Sequence, residues 1–195
     1  MADTTTSPKR DVAVLVGSLR RQSFNRKLAL ALAELVPPSL ALEIVEIGDL
    51  PLFNQDVEDD ASPAPWIAFR KRIQRADAVL FFTPEYNRSM SAALKNAIDV
   101  GSRPRGENAW RGKPGAVVSV SAGALGAFGA HHHVRQCLVA LNVPTMAAPE
   151  MYVGKASDLL DESGRVTNDS TRELLTKFGR AFADWIESNL PRKAP

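Results

Sequence analysis

The chain has 195 residues, 45% of them hydrophobic, with 24 basic and 22 acidic side chains and a formal net charge of +2. That length suits one α/β domain able to cover both faces of a sheet, and the near-neutral balance gives no reason to expect nucleic acid or an anionic membrane as a partner. The lone cysteine, Cys137, excludes an internal disulfide and a cysteine-rich metal site and fits a reducing compartment; no apolar run nears the roughly 20 residues that cross a bilayer, and the polar first ten residues lack the apolar core of a secretory signal, so a cytoplasmic protein is expected.

Residues 1–10 and 191–195 read as flexible tails around a single domain over residues 11–190. Asp11 to Val16 reads as a buried strand, uncharged after its first residue and stopped by Gly17. Ser23 to Val36 reads as a helix with Leu28, Leu32 and Leu35 on one face, ended by Pro37 and Pro38. Leu42 to Ile47 is the second strand. Ser62 to Ala76 is the second helix, with Trp66, Phe69 and Ile73 at helical spacing. Ala78 to Thr83 is a third strand, apolar on both faces, and Ser91 to Val100 a third helix. Pro114 to Ser121 is the fourth strand, Ala130 to Leu141 the fourth helix with Cys137 inward, and Thr145 to Met151 a short fifth strand. Asp169 to Asn189 closes the chain as a helix carrying Leu174, Phe178, Phe182, Trp185 and Ile186.

Strands that are apolar on both faces, alternating with helices, predict a parallel sheet between two helical layers. Right-handed crossovers and five strands favour the order 2-1-3-4-5, a three-layer α/β sandwich of the flavodoxin-like kind. In such sheets ligands bind beyond the carboxyl ends of the strands, near the switch between the first and third. The loops after Val16, Thr83 and Ser121 are therefore the ones to inspect.

In the first loop, Gly17 permits a tight exit, Ser18, Ser23 and Asn25 offer hydrogen bonds, Arg20 offers a charge, and the following helix offers free N–H groups. These make a cradle for a monophosphate; the plainer alternative, of equal weight, is that Ser23 only caps the helix. The second loop is Pro84, Glu85, Tyr86 and Asn87, polar and suited to the edge of a flat heteroaromatic ring. As a single motif it reads more readily as an ordinary loop, with Tyr86 covering the core and Asn87 capping a helix. The third, from Ser121 to Gly126, is built of small residues that admit close approach to the backbone, or that simply make a tight turn.

The run Gly17-Ser18-Leu19-Arg20, then Ser23 and Asn25, then Pro84-Glu85-Tyr86-Asn87, then Leu94-Lys95-Asn96-Ala97-Ile98-Asp99, resembles the NADPH-dependent FMN reductase family, and within it the bacterial quinone reductases also described as chromate reductases. The resemblance spans residues 11–190. It implies bound FMN, NADPH or NADH as electron donor, and quinones and other small acceptors, chromate among them, reduced by ping-pong transfer. It also implies a homodimer or homotetramer. Position by position, Ser18, Arg20, Ser23 and Asn25 would hold the FMN phosphate, with Leu19 and Phe24 lining the same loop. Pro84, Glu85, Tyr86 and Asn87 would hold the ring and ribityl chain, and Ser121 would contact the cofactor. Since FMN carries the chemistry, no side chain is assigned as catalytic.

The segment Gly101 to Gly112 is long and basic and carries Trp110; it is read as a rim beside the active edge or a subunit contact, with Arg103 and Arg105 as candidates to meet the donor's phosphates, and with equal weight as a plain surface loop. His131, His132 and His133 point about 100° apart on a helix and do not suit one metal ion, so no metal site is expected. The acidic stretch Asp56 to Asp60 reads as a solvated loop. Other readings share the site: a flavin reductase releasing reduced FMN, an azo- or nitroreductase, and an electron carrier of flavodoxin type. Carriers are usually strongly acidic, so the +2 charge favours an enzyme. A non-flavin α/β binding module is the remaining alternative.

Overall fold

A computed structural model describes residues 9–191. Its centre is a five-stranded, wholly parallel sheet in the order β2-β1-β3-β4-β5. The strands are β1 (Arg10–Val16), β2 (Leu40–Val45), β3 (Ala78–Thr83), β4 (Gly115–Val120) and β5 (Met151–Val153). The helices are α1 (Phe24–Ala33), α2 (Gln55–Ala61), α3 (Ala64–Arg75), α4 (Ala92–Gly101), α5 (Phe128–Ala140), α6 (Ala156–Leu159) and α7 (Asp169–Asn189).

Successive side chains of a strand point to opposite faces, so each apolar strand feeds two cores. Val12, Val14 and Val16 of β1, with Leu80 and Phe82 of β3, meet Leu28 and Leu32 of α1 and Phe178, Phe182 and Ile186 of α7. Their neighbours Ala13, Leu15, Val79 and Phe81 face the other way, onto Trp66, Phe69 and Ile73 of α3, Leu94 and Ile98 of α4, and Val134 and Leu138 of α5. Phe81 and Phe82 are both fully buried, each worth roughly 2–3 kcal/mol of transfer free energy. This is the expected flavodoxin-like sandwich.

Several local expectations are corrected. The fifth strand is Met151–Val153, not Thr145 to Met151; Thr145 makes only an isolated bridge to Gly115, and Pro149 lacks the N–H a ladder needs. In α7 the buried leucine is Leu175, whereas Leu174 is exposed. The acidic stretch is the helix α2. The side chain of its half-buried Glu58 is tucked against the guanidinium of Arg70, which also donates to the Val100 carbonyl at 2.8 Å. Residues 1–8 and 192–195, expected as tails, lie outside the described residues. Arg10 is no tail residue, however. It opens β1, is buried, and forks onto the Glu187 carboxylate at 2.7 and 3.0 Å while donating to the Pro191 carbonyl.

Candidate cofactor site

The register places the ends of three strands side by side, Val16 opposite Phe82 and Thr83 opposite Ser119. The three inspected loops therefore share the carboxyl edge of the sheet. They are also fastened to one another. Ser91, the cap of α4, donates its hydroxyl to the Gly17 carbonyl at 2.6 Å. A Cβ on Gly17 would lie 3.0 Å from Pro84 Cδ and 3.0 Å from Ser91 Oγ, so a side chain here would push the first two loops apart. Asn25 donates Nδ2 to the Val120 carbonyl, tying α1 to the end of β4.

In the first loop Ser18, Ser23 and Asn25 are buried while Leu19, Arg20 and Arg21 are exposed; Phe24 is half-buried. Ser23 caps α1, accepting from Arg26 N at 3.1 Å. That bond uses a lone pair and leaves the hydroxyl proton to donate, so capping and anion binding coexist. Among the described residues, no backbone N–H from Ser18 to Gln22 has a partner within the chain, and neither do those of Phe24 and Asn25 in the first turn of α1. This run of donors at a positive helix end, flanked by Arg20 and Arg21, has the chemistry to hold an anion. A groove of about 400 Å³ opens beside it, lined by Ser18, Leu19, Arg20 and Arg21 and by Gly48 and Asp49 beyond β2. Asn25 Oδ1 is buried with no partner. An acceptor cannot bond a phosphate oxygen, so this atom suits a ligand hydroxyl, leaving the anion to the backbone donors and Ser23.

The second loop turns tightly. Tyr86 and Ser89 exchange backbone bonds at 2.9 and 3.0 Å, with Asn87 and Arg88 both in the left-handed region at φ 51° and 68°. Tyr86 and Asn87 are exposed at the tip, Pro84 is buried at its root, and Glu85 points away from the tip, accepting from Ala130 N of α5 at 3.1 Å.

The third loop is held from behind. Ser121 bonds Val153 and Ala156 through its backbone and the Gly123 carbonyl through its hydroxyl. Gly126, at φ +59°, has no room for a Cβ because Tyr152 lies 2.8 Å away, and a Cβ on Gly154 would meet Ala124 O at 2.5 Å. Gly126 and Gly154 thus serve the packing of this loop on the end of β5, while a Cβ on Gly123 would meet only Ser121 Oγ, at 3.8 Å.

Arg103 and Arg105 do not join this site. The segment after α4 precedes β4, so it lies at the amino edge, opposite the three loops. Lys113 donates to the carbonyls of Gln74 and Ala76 at the end of α3, and Gly112 N to Asn142 O after α5. Arg103 packs its guanidinium over Phe53 with Nε buried and unpartnered, and Arg105 is exposed. Trp110 is no rim residue. It is fully buried, donates to Ile98 O at 2.9 Å, and fits only because Gly101 lacks a Cβ.

The three histidines diverge as helical spacing demands. His132 Nε2 lies 3.2 Å from Tyr152 Oη, His133 Nδ1 lies 2.9 Å from Ser89 Oγ, and His131 is fully buried with neither ring nitrogen bonded. Burial first, and Arg135 second, push the His131 pKa down to about 4. Cys137 is half-buried, and burial raises its thiol pKa, which leaves it a poor nucleophile.

Residues that sequence reasoning missed brace the site. Ser91 was legible as the start of a helix, but not its bond to Gly17. Asn96, in the middle of α4, accepts from Phe53 N and donates to the carbonyls of Leu50 and Pro51, fixing the segment beyond β2.

A family model for NADPH-dependent FMN reductases matches residues 10–158. The chain is 62% identical over 178 residues to a quinone reductase of Pseudomonas putida, covering 91% of this chain and 95% of that protein. It is 45% identical over 175 residues to a 2-hydroxy-1,4-benzoquinone reductase of a Burkholderia species, covering 90% and 95%. Among solved structures it is similar to a flavoenzyme NAD(P)H:(acceptor) oxidoreductase of Paracoccus denitrificans, with 42% identity, a TM-score of 0.87, and 92% and 98% of the two chains covered.

Proposed function

The chain belongs to the NADPH-dependent FMN reductase family, and from that premise we propose that it is an FMN-dependent NAD(P)H oxidoreductase whose acceptors are quinones. The observation that carries the seating of the cofactor is the run of unpartnered N–H groups beside a buried, unpartnered acceptor, Asn25 Oδ1. A ligand with an anionic end and a hydroxylated chain satisfies both. FMN has that chemistry.

On this reading the N–H groups of 18–22, the Ser23 hydroxyl and Arg20 hold the phosphate. Asn25 Oδ1 accepts from a ribityl hydroxyl, and the second loop borders the ring through Pro84, Tyr86 and Asn87. The N–H donors and the α1 dipole are fixed before binding and need no reorganisation. Bound there, FMN supplies a two-electron centre that accepts hydride from NAD(P)H and passes electrons to the acceptor. The protein's part is to bind, orient and leave one face open, so no side chain is assigned as acid or base. Donor and acceptor then share one opening in turn, which is ping-pong kinetics. Quinone acceptors rest on the relatives named quinone reductase; chromate remains a further candidate. The single cysteine supports a cytoplasmic location. Exposed Leu19, Tyr86, Leu125 and Phe128, all at the site's edge, support a homodimer or homotetramer that covers them.

The purified protein is expected to be yellow when supplied with FMN, and to oxidise NADH or NADPH faster when a quinone is added. A yellow protein that neither donor reduces would instead be a carrier, and a protein taking up no flavin would overturn the reading.

A further inference from the structure

The start of α5 lacks a cap of its own. It opens on Ala127, left-handed at φ 60°, with no side chain to receive the first N–H groups. The Ala130 N–H is instead met by Glu85 Oε2, reaching across from the second loop at 3.1 Å, while Glu85 Oε1 lies 3.6 Å from Arg88 Nη1. The fit is close. A Cβ on Gly129 would come within 2.9 Å of Arg88 O and 3.1 Å of Glu85 Oε2. One helical turn on, His133 Nδ1 meets Ser89 Oγ at 2.9 Å. The turn is thus fastened to α5 on both sides of its tip. The tip residues Tyr86 and Asn87 are exposed, and their side chains make no hydrogen bond among the described residues. Their placement is inherited from these fastenings.

We propose that Glu85 is a positioning residue: its carboxylate bolts the second loop to the start of α5 and so sets where Tyr86 and Asn87 meet the flavin. This differs from a direct contact of Glu85 with the cofactor, because both carboxylate oxygens are turned toward protein groups. It rests on the FMN reading above. Gly129 belongs to the same device, since only a residue without a Cβ lets the helix lie against the turn.

The test uses the full chain stripped of flavin, with FMN titrated by quenching of its fluorescence and the visible band of bound flavin recorded. Glu85→Ala is expected to weaken FMN binding about tenfold, the scale of a lost helix cap, and to change the band shape. Glu85→Gln keeps an oxygen for the Ala130 N–H and is expected to stay within about twofold of the parent. Gly129→Ala keeps the Glu85 carboxylate in the chain but crowds it and displaces the turn, and is expected to match Glu85→Ala. The proposal is overturned if Glu85→Ala binds and absorbs like the parent. It is equally overturned if Gly129→Ala behaves as the parent while both Glu85 variants bind weakly, which is the pattern of a direct contact. Should Gly129→Ala not fold, the Gln and Ala variants decide between them. A parent protein that binds no FMN is a separate result, which removes the cofactor reading and this proposal with it.

Discussion

Gly17 is the residue at which the site is most tightly drawn. Its carbonyl receives Ser91, its N–H goes to Phe82 O at 2.8 Å, and Pro84 crowds its missing Cβ. Gly17→Ala should therefore cost roughly 1–3 kcal/mol in urea unfolding, as overpacking does, and should weaken FMN binding as well. An unchanged midpoint and affinity would show that the two loops have slack. Asn25 teaches a related lesson. From sequence it is one more polar residue in a serine-rich loop. In the structure its amide group spans to Val120, and its orphan oxygen changes the ligand group it can serve, from phosphate to hydroxyl. Residue type was readable, while the direction of each polar atom was not, because direction depends on strands far away in the chain.

At the scale of elements, what was readable followed from two-faced burial. Strands β1 and β3 are uninterrupted apolar runs because helices cover both sides, and such runs are visible in sequence. Helix α2 was not, since none of its seven residues is fully buried and it is held by one long-range ion pair. Strand β5 has three residues, too few for a period to show. The Gly101 to Gly112 segment was misplaced for a different reason. A connection from helix to strand must lie at the amino edge, and length and charge drew attention away from that rule. Glu58→Ala tests the hold on α2. It leaves Arg70 buried without its carboxylate, and should lower stability by roughly 3 kcal/mol and Tm by roughly 10 °C. FMN affinity should be unaffected, because no side-chain hydrogen bond or ion pair among the described residues joins α2 to the three loops. A loss of affinity with intact stability would mean that α2 reaches the site.

For the whole molecule, pH links packing to stability. His131 is buried between α5 and β5, its ring 4.5 Å from that of Tyr152. Arg135 and His132 lower its pKa and Glu150 opposes them, with burial the largest cause. Its folded pKa of about 4 lies below the ordinary 6.5, so the unfolded chain takes up the proton first. Stability should be level above pH 6.5, then fall by up to roughly 1.4 kcal/mol per pH unit until pH approaches 4. Glu58, held below its ordinary value by Arg70 first and Ser62 as well, adds a loss at more acid pH as it protonates through its folded pKa. His131→Phe should flatten the upper part of that fall, measured by urea unfolding across the pH range. The same slope in both proteins would refute the assignment.

The central claim is that the carboxyl edge holds a flavin by its phosphate. Titrating the flavin-free protein with FMN and with riboflavin isolates that group. Several charge-assisted bonds to one phosphate predict FMN affinity at least about 100-fold above that of riboflavin, with the advantage shrinking in Arg20→Ala and Ser23→Ala. Equal affinity for the two flavins, or binding of neither, would contradict the account.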